Sequence, residues 1–471
     1  MIRSITTLLL LPIVCTFLLS ALSVETVAQT QEKCNIIFIL ADDLGYGDLS
    51  CYGQTQFETP RIDSLASGGI KFTRHYAGST VCAPSRCALM TGKHTGNAYV
   101  RGNRGAPDGF GDWPLASEVV TVAAVLKKHG YVNGTFGKWG LGNHQNDGNP
   151  LKHGFDEFFG YYSQRDAHNY YPPYLHHNEN KIELDGKTYS HDLIAAEALR
   201  FIRENKDRPF FCYLPVTIPH AAMQVPEEYV APWREKFPEF EETIAQYSIA
   251  AGVRNPVAAF PGMLTKLDET VGRVLDLLDE LGIADNTIVM FSSDNGPHVE
   301  GGHRSDLFNS NGPLTGTKRD LSEGGIRVPF LARWPAAIKP GTVSDHAGAF
   351  WDFFPTICEL IGEPLPYDID GLSYLPTLRG DTVNQRKHEY LYWEFYEQGG
   401  KRAACIGDWK GVQLNVSRQP DGPIAVYDLS DDLAEQNDLA KQHPEMVEQF
   451  RKLFDSVRTP SEVFDFYTIA N

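Results

Sequence analysis

Apolar residues in this chain follow two alternating rhythms. Asn35-Ile36-Ile37-Phe38-Ile39-Leu40 is apolar almost without interruption, as expected of a strand buried on both faces. Phe210-Phe211-Cys212-Tyr213-Leu214 and Thr287-Ile288-Val289-Met290-Phe291 repeat the pattern. Helical stretches lie between such runs. Val119, Val122, Ala123 and Leu126 share a helical face in a segment opened by Ser117-Glu118 and closed at His129-Gly130. Ser190 is the expected cap of a helix reaching Asn205. Leu264, Leu267, Val271, Val274, Leu278 and Leu281 recur at helical spacing and stop at Gly282. Helices alternating with apolar strands predict an α/β fold layered around a large, mostly parallel sheet.

From about Leu375 the pattern changes. His388–Phe395 and Ala425–Leu429 look like strands of a smaller sheet joined by turns, and an amphipathic helix follows from Pro444 to Val457. The expected division is a leader over residues 1–28, a large domain over 29–375 and a C-terminal subdomain over 376–471.

The leader reading rests on Met1-Ile2-Arg3, the apolar run Leu8–Cys15 and Thr26-Val27-Ala28 as a cleavage site. It predicts an exported protein, periplasmic or secreted. Val14 is bulky where a lipobox ending at Cys15 would need a small residue. No later stretch reads as a membrane span. The chain has 471 residues, 42% of them hydrophobic, enough for a large core. Of its 8 cysteines, removal of Cys15 leaves an odd number, which suggests one chemically committed thiol. The net charge of −18 argues against nucleic acid as a partner. An acidic protein still binds an anion where a cation and a few Lys or Arg invert the local field.

Candidate chemistry lies in three places. Cys82-Ala83-Pro84-Ser85-Arg86-Cys87-Ala88-Leu89-Met90-Thr91-Gly92 sets a thiol just before a helix expected to open on proline. A helix N-terminus offers free N–H groups to a tetrahedral anion. Asp42-Asp43 follows the first strand and Asp294-Asn295-Gly296 follows the strand ending at Phe291. Strand carboxyl ends are where open α/β sheets bind ligands. Their hard oxygen donors suit Ca²⁺ or Mg²⁺ rather than zinc. Alone, Asp-Asn-Gly is an ordinary turn, Asp-Asp an ordinary cap, and Cys82 an ordinary buried cysteine.

The full Cys-x-Pro-Ser-Arg string, with Thr-Gly six residues beyond the serine, resembles the signature of the type I sulfatases. In that family the cysteine is oxidised to formylglycine by a maturation enzyme and becomes the nucleophile. The resemblance implies an alkaline-phosphatase-like α/β/α sandwich with a smaller C-terminal α+β subdomain carrying an antiparallel sheet. It implies one Ca²⁺ ion bound by Asp42, Asp43, Asp294, Asn295 and the modified Cys82. Arg86 matches the arginine that orients the formylglycine. Lys138 and Lys318 match the sulfate-binding lysines, and His220 the histidine near the leaving group. Asp294 would then take the attacking proton, while His220 with Lys318 supplies one to the leaving oxygen. Taken singly, Lys138 reads equally as a loop lysine, Lys318 as part of a solvated charge run and His220 as a satisfied histidine.

One departure stands out. Many members carry Lys-Trp-His-Leu-Gly, whereas this chain reads Lys138-Trp139-Gly140-Leu141-Gly142. The missing histidine helps release sulfate in the family; His144 is the nearest in sequence. Substrate contacts are expected from Arg165, His168 and Tyr170 in an aromatic segment over residues 164–174, and from His298, His303 and Arg304. A surface loop packing its aromatics on the body fits that segment equally. The expected substrate is a sulfated glycan, of galactose type. Two other functions remain open: a phosphate or phosphonate ester hydrolase, and a non-catalytic glycan-binding relative.

Overall fold

Asn35–Ala41 forms strand β1 and is buried along its whole length. Ile36, Phe38 and Leu40 pack into one core, Ile37, Ile39 and Ala41 into another. Two-sided burial explains the unbroken apolar run, each large side chain contributing about 1.5–3 kcal/mol. This computed structural model describes Met1, residues 33–107, Gly109 and residues 111–466. The leader and its Cys15 lie outside the described residues.

The central sheet has ten strands. After β1 come β2 (Ile70–Phe72), β3 (Val132–Lys138), β4 (Glu157–Tyr161), β5 (Tyr174–His177), β6 (Asn180–Glu183), β7 (Phe210–Pro215), β8 (Thr287–Ser293), β9 (Phe330–Arg333) and β10 (Thr342–Ser344). Their spatial order is β10-β2-β9-β8-β1-β7-β3-β4-β5-β6. The inner five, β8-β1-β7-β3-β4, are parallel. The flanks are mostly antiparallel, through the pairs β8–β9, β9–β2, β4–β5 and β5–β6.

Helices cover both faces. α1 (Cys82–Thr91) and α2 (Val122–Lys128) contribute to the core on one side. α3 (Ser190–Glu204) and α4 (Pro256–Glu280) contribute to the core on the other. The result is an α/β/α sandwich.

The starts of α2, α3 and α4 differ from expectation. α2 opens at Val122, because Thr121 Oγ1 accepts the Ala124 N–H at 3.2 Å and so outcompetes Ser117 as the cap. Ser190 is the first residue of α3 rather than its cap, which falls on Tyr189. α4 begins eight residues before Leu264, where Asn255 at φ 50° accepts the Ala258 N–H at 3.0 Å. Left-handed φ is one that asparagine tolerates.

The second sheet comprises β11 (Leu391–Phe395), β12 (Lys401–Ile406), β13 (Trp409–Leu414) and β14 (Ile424–Asp428), antiparallel throughout. α5 (Pro444–Ser456) lays Phe450 and Phe454 against Tyr392 and Val426. On the opposite face Leu391, Trp393 and Phe395 meet Tyr76, Val81 and Trp351. A buried ionic cluster reinforces that contact. Lys410 Nζ lies 2.9 Å from Glu323 Oε1 and 3.0 Å from Glu435 Oε1, while Tyr76 and Arg327 donate to Glu323 Oε2.

Candidate active site

The register of the parallel strands builds the site. Ala41 lies opposite Ser293, so the next residues, Asp42 and Asp294, emerge side by side. The Asp294 N–H donates to Ala41 O at 3.1 Å, and the Asp42 N–H to Ile218 O at 3.3 Å. β3 ends on Lys138 itself. β7 runs into the turn carrying His220, whose N–H donates to Thr217 O. Four adjacent strand ends thus converge on one point, the place where open α/β sheets take ligands.

α1 brings the thiol. Cys82 is its first residue and Pro84 its third, so the proline does not open the helix as the sequence predicted. The first four helical N–H groups have no intrahelical partner, which makes proline as harmless at the third position as at the first. The side chain of Val81 cannot cap; Asn103 Oδ1 takes the Ala83 N–H instead, at 3.0 Å. All ten residues of α1 are buried.

Charges around the thiol alternate in sign. Cys82 Sγ lies 3.4 Å from Asp42 Oδ1. Lys138 Nζ donates to Asp42 Oδ2 at 2.6 Å. Arg86 places Nε and Nη2 on Asp294 Oδ2 at 3.1 and 2.7 Å, and donates from Nη1 to Lys138 O. Lys318 Nζ reaches Asp43 Oδ2 at 2.8 Å and His220 Nε2 at 2.9 Å.

Burial raises the Cys82 thiol, the Asp42 carboxylate adds to this, and Lys138 and Lys318 only partly oppose it, so the thiol stays protonated. A thiolate nucleophile is therefore not what this setting favours. Burial would also raise Asp42, yet the Lys138 ammonium and the Arg86 guanidinium hold it well below the usual carboxylate range. Burial and then Lys318 depress His220, which stays neutral. Its Nδ1 faces Ala221 O, leaving Nε2 to accept from Lys318.

Of the other expected substrate residues, His168 is the best placed. Its ring stacks on His220 at 4.8 Å between centroids, and its Nδ1 is buried with no hydrogen-bond partner among the described residues. Tyr170 is fully buried, its hydroxyl tying Thr217 O and His220 O together. It braces the histidine turn from inside rather than offering a ring to a substrate. His298 braces the same turn through Pro219 O at 3.1 Å and accepts the Glu300 N–H. His303 is stacked on Phe260 at 3.9 Å, a packed core histidine. Arg165 is exposed, and Arg304 is exposed and paired with Asp306.

Sequence reasoning missed Tyr247, whose ring borders both His168 and His220. It also missed Glu300, which sits between Lys318 and Arg319; its position two residues past His298 was the available signal.

Gly140 explains its own departure. It has φ +75°, and a Cβ there would come within 2.4 Å of Gln164 Nε2. That amide nitrogen is buried without a hydrogen-bond partner among the described residues. Gln164 thus occupies the space a side chain at 140 would fill. Its backbone N–H is fixed by Asp112 Oδ2 at 2.7 Å. Burial pushes the Asp112 carboxyl up to about 7, against the pull of Lys138.

The donor set fits a hard cation. Ligand atoms of Asp42, Asp43, Cys82 and His220 lie within 4.8 Å of one another. Asn295 Nδ2 donates to Asp43 Oδ1 at 2.6 Å, which leaves Asn295 Oδ1 buried and unpaired among the described residues. The paired carboxylates of Asp42 and Asp43, with an unpaired amide oxygen on Asn295, are hard donors that suit Ca²⁺ or Mg²⁺.

Comparison with known proteins agrees with this geometry. The Sulfatase family model matches residues 34–363, and the model described as N-sulphoglucosamine sulphohydrolase, C-terminal, matches 316–460. An N-acetylgalactosamine-6-O-sulfatase of Bacteroides thetaiotaomicron is 32% identical, with 92% of this chain and 94% of that protein covered. The human N-acetylgalactosamine-6-sulfatase is 33% identical over 78% of this chain and 74% of its own length. A solved structure from a study of glycosaminoglycan metabolism by B. thetaiotaomicron superposes with TM-score 0.74. It is 28% identical, and the match covers 91% of this chain and all of that one.

Proposed function

The chain belongs to the sulfatase family and is a sulfuric ester hydrolase; from that premise we propose that it removes sulfate from a galactose-type carbohydrate such as 6-sulfated N-acetylgalactosamine. The substrate class is supported by the names of its similar proteins. The observation that carries the chemistry is Cys82 at the head of α1, 3.4 Å from Asp42 and surrounded by Arg86, Lys138 and Lys318.

In this reading Cys82 is converted to formylglycine by a maturation enzyme. The hydrated aldehyde supplies two hydroxyls on one carbon, one to attack sulfur and one to let sulfate go. Asp42, Asp43, Asp294 and Asn295 would hold a calcium ion, which acidifies a hydroxyl and shields incoming negative charge. Lys138 and Lys318 face the sulfate oxygens, with Arg86 behind them, and balance charge there as the sulfur–oxygen bond lengthens. Asp294 takes a proton from the attacking hydroxyl. His220 and Lys318 share a hydrogen bond and together deliver a proton to the leaving alcohol oxygen. Removal of residues 1–28 accompanies export.

The test combines mass spectrometry with turnover, on protein purified from its own host. The Cys82 peptide should show sulfur replaced by oxygen with two hydrogens lost, and the protein should hydrolyse 6-sulfated N-acetylgalactosamine in preference to phosphate monoesters. An unmodified thiol in mature protein would sink the mechanism and favour a glycan-binding role. Preference for phosphate or phosphonate esters would move the chain to the related hydrolase reaction.

A further inference from the structure

The loops that carry Gly140 and Gln164 also wall a cavity of about 270 Å³. The loop after Gly140 contributes His144, and the segment around Gln164 contributes Tyr162, Ser163 and Asp166. The opposite wall is the β5–β6 hairpin. Alternation along β5 puts Tyr174 and His176 on one face, and Lys181 on β6 is directly opposite His176. The His176 ring lies 5.0 Å from Tyr162, 5.1 Å from His144 and 5.5 Å from Tyr174. Lys181 Nζ sits 4.3 Å from the Tyr174 ring centroid, and the Tyr174 hydroxyl donates to Asp166 Oδ2 at 3.2 Å.

Four rings at one opening give a surface for the apolar face of a sugar. The polar groups are mixed in kind. Asp166 accepts, Lys181 donates while also meeting Glu183 Oε1 at 2.9 Å, and burial followed by His144 and Lys181 pushes His176 down to about 4, so it is neutral. His144 Nδ1 is buried with no hydrogen-bond partner among the described residues, and so is Gln164 Nε2 on the neighbouring loop. A carboxylate, an ammonium and one neutral imidazole side by side do not select an anion. They suit hydroxyls, which donate and accept together.

We propose that this cavity is a saccharide subsite that takes the sugar residue adjoining the one whose sulfate ester meets Lys138 and Lys318, stacking it on the Tyr174–His176 face and hydrogen-bonding its hydroxyls through Asp166, Lys181 and His144. The inference rests on the carbohydrate substrate proposed above. It makes the enzyme a reader of chain context as well as of the sulfated unit, with Gln164 on the loop between the two.

The test compares a sulfated oligosaccharide with a small aryl sulfate, which is too short to reach the cavity. In Tyr174→Ala the ratio of kcat/KM for oligosaccharide over aryl sulfate should fall about ten-fold, the loss expected for one stacking contact with its hydrogen bonds. Tyr174→Phe keeps the ring and should hold most of the ratio, and thermal melts of both variants establish that they fold. Losses of equal size on both substrates, or none on either, would overturn the subsite. A second measurement needs no turnover: calorimetric titration of wild type and Tyr174→Ala with the desulfated oligosaccharide, binding being weakened in the variant. Absence of turnover on any sulfated sugar would reject the carbohydrate sulfatase reading, while the titration would still decide the subsite. Wild-type protein with no affinity for that oligosaccharide would reject the subsite itself.

Discussion

Lys318 holds Asp43 with one hydrogen and His220 with another, so charge balance and proton delivery depend on the same ammonium. In Lys318→Ala, kcat/KM should drop by about 10²–10³, the usual cost of losing one preorganised donor. His220→Ala should behave differently, its loss being far larger for sugar esters than for aryl sulfates, whose alcohols leave without help. Steady-state kinetics on the two substrate types separates these outcomes. Gly140 can be tested by stability. Gly140→His places a side chain at φ +75° against Gln164, and should cost about 1–3 kcal/mol by thermal melt. Adding Gln164→Gly relieves the clash and recovers the part that is not backbone strain. At this scale much was readable: Asp42, Asp43, Cys82, Arg86, Lys138, His220, Asp294 and Lys318 do meet in one buried cluster. Proximity in sequence misled where strand geometry intervened. His303 and Arg304 follow His298 closely, yet one enters the core and the other points to solvent.

Among elements, the contact between β13 and the segment around Glu323 rests on a buried ion cluster. Lys410 is buried between Glu323 and Glu435. Lys410→Met leaves two carboxylates without their ammonium and should destabilise by about 3–5 kcal/mol in denaturant unfolding. The pair also sets an acid limb. Burial would raise Glu323, but Lys410 and Arg327 hold it at about 2, below its ordinary 4.5. The folded state therefore binds this proton less readily than the unfolded chain, and its contribution is complete above pH 4.5 and disappears as pH falls towards 2. Unfolding measured from pH 7 down to pH 3 should lose part of this stability in wild type, with a flatter acid limb in Lys410→Met. Element identity was legible where one residue period ran long, as in β1, β8 and α4. Starts were not, because Asn255 and Pro256 look like loop punctuation until their cap is seen. The β5–β6 hairpin was hidden altogether, since its four-residue strands carry no apolar run.

At the level of the molecule, the four adjacent strand ends gather the carboxylates, so a bound cation would brace the centre of the sheet. Chelation should lower Tm, and Ca²⁺ should restore it in a concentration-dependent way, since a ligand bound only to the folded state stabilises it by mass action. Differential scanning with EDTA and added Ca²⁺ checks this; no shift with either would reject a resident calcium. The mostly parallel sheet with helices on both faces was legible because alternating strand and helix patterns have few packed solutions. Its antiparallel margins were not, since short edge strands lack that signal.

The burial of α1 has a consequence in time rather than in space. Cys82 is 2% exposed, and the helix that carries it is covered along its full length. A second protein cannot grasp that segment once the chain has closed over it. If the thiol is to be converted, the conversion belongs to the interval before folding is complete. Protein that folds ahead of its maturation enzyme would stay a thiol for the lifetime of the fold, and exposure to that enzyme should rescue it only after unfolding.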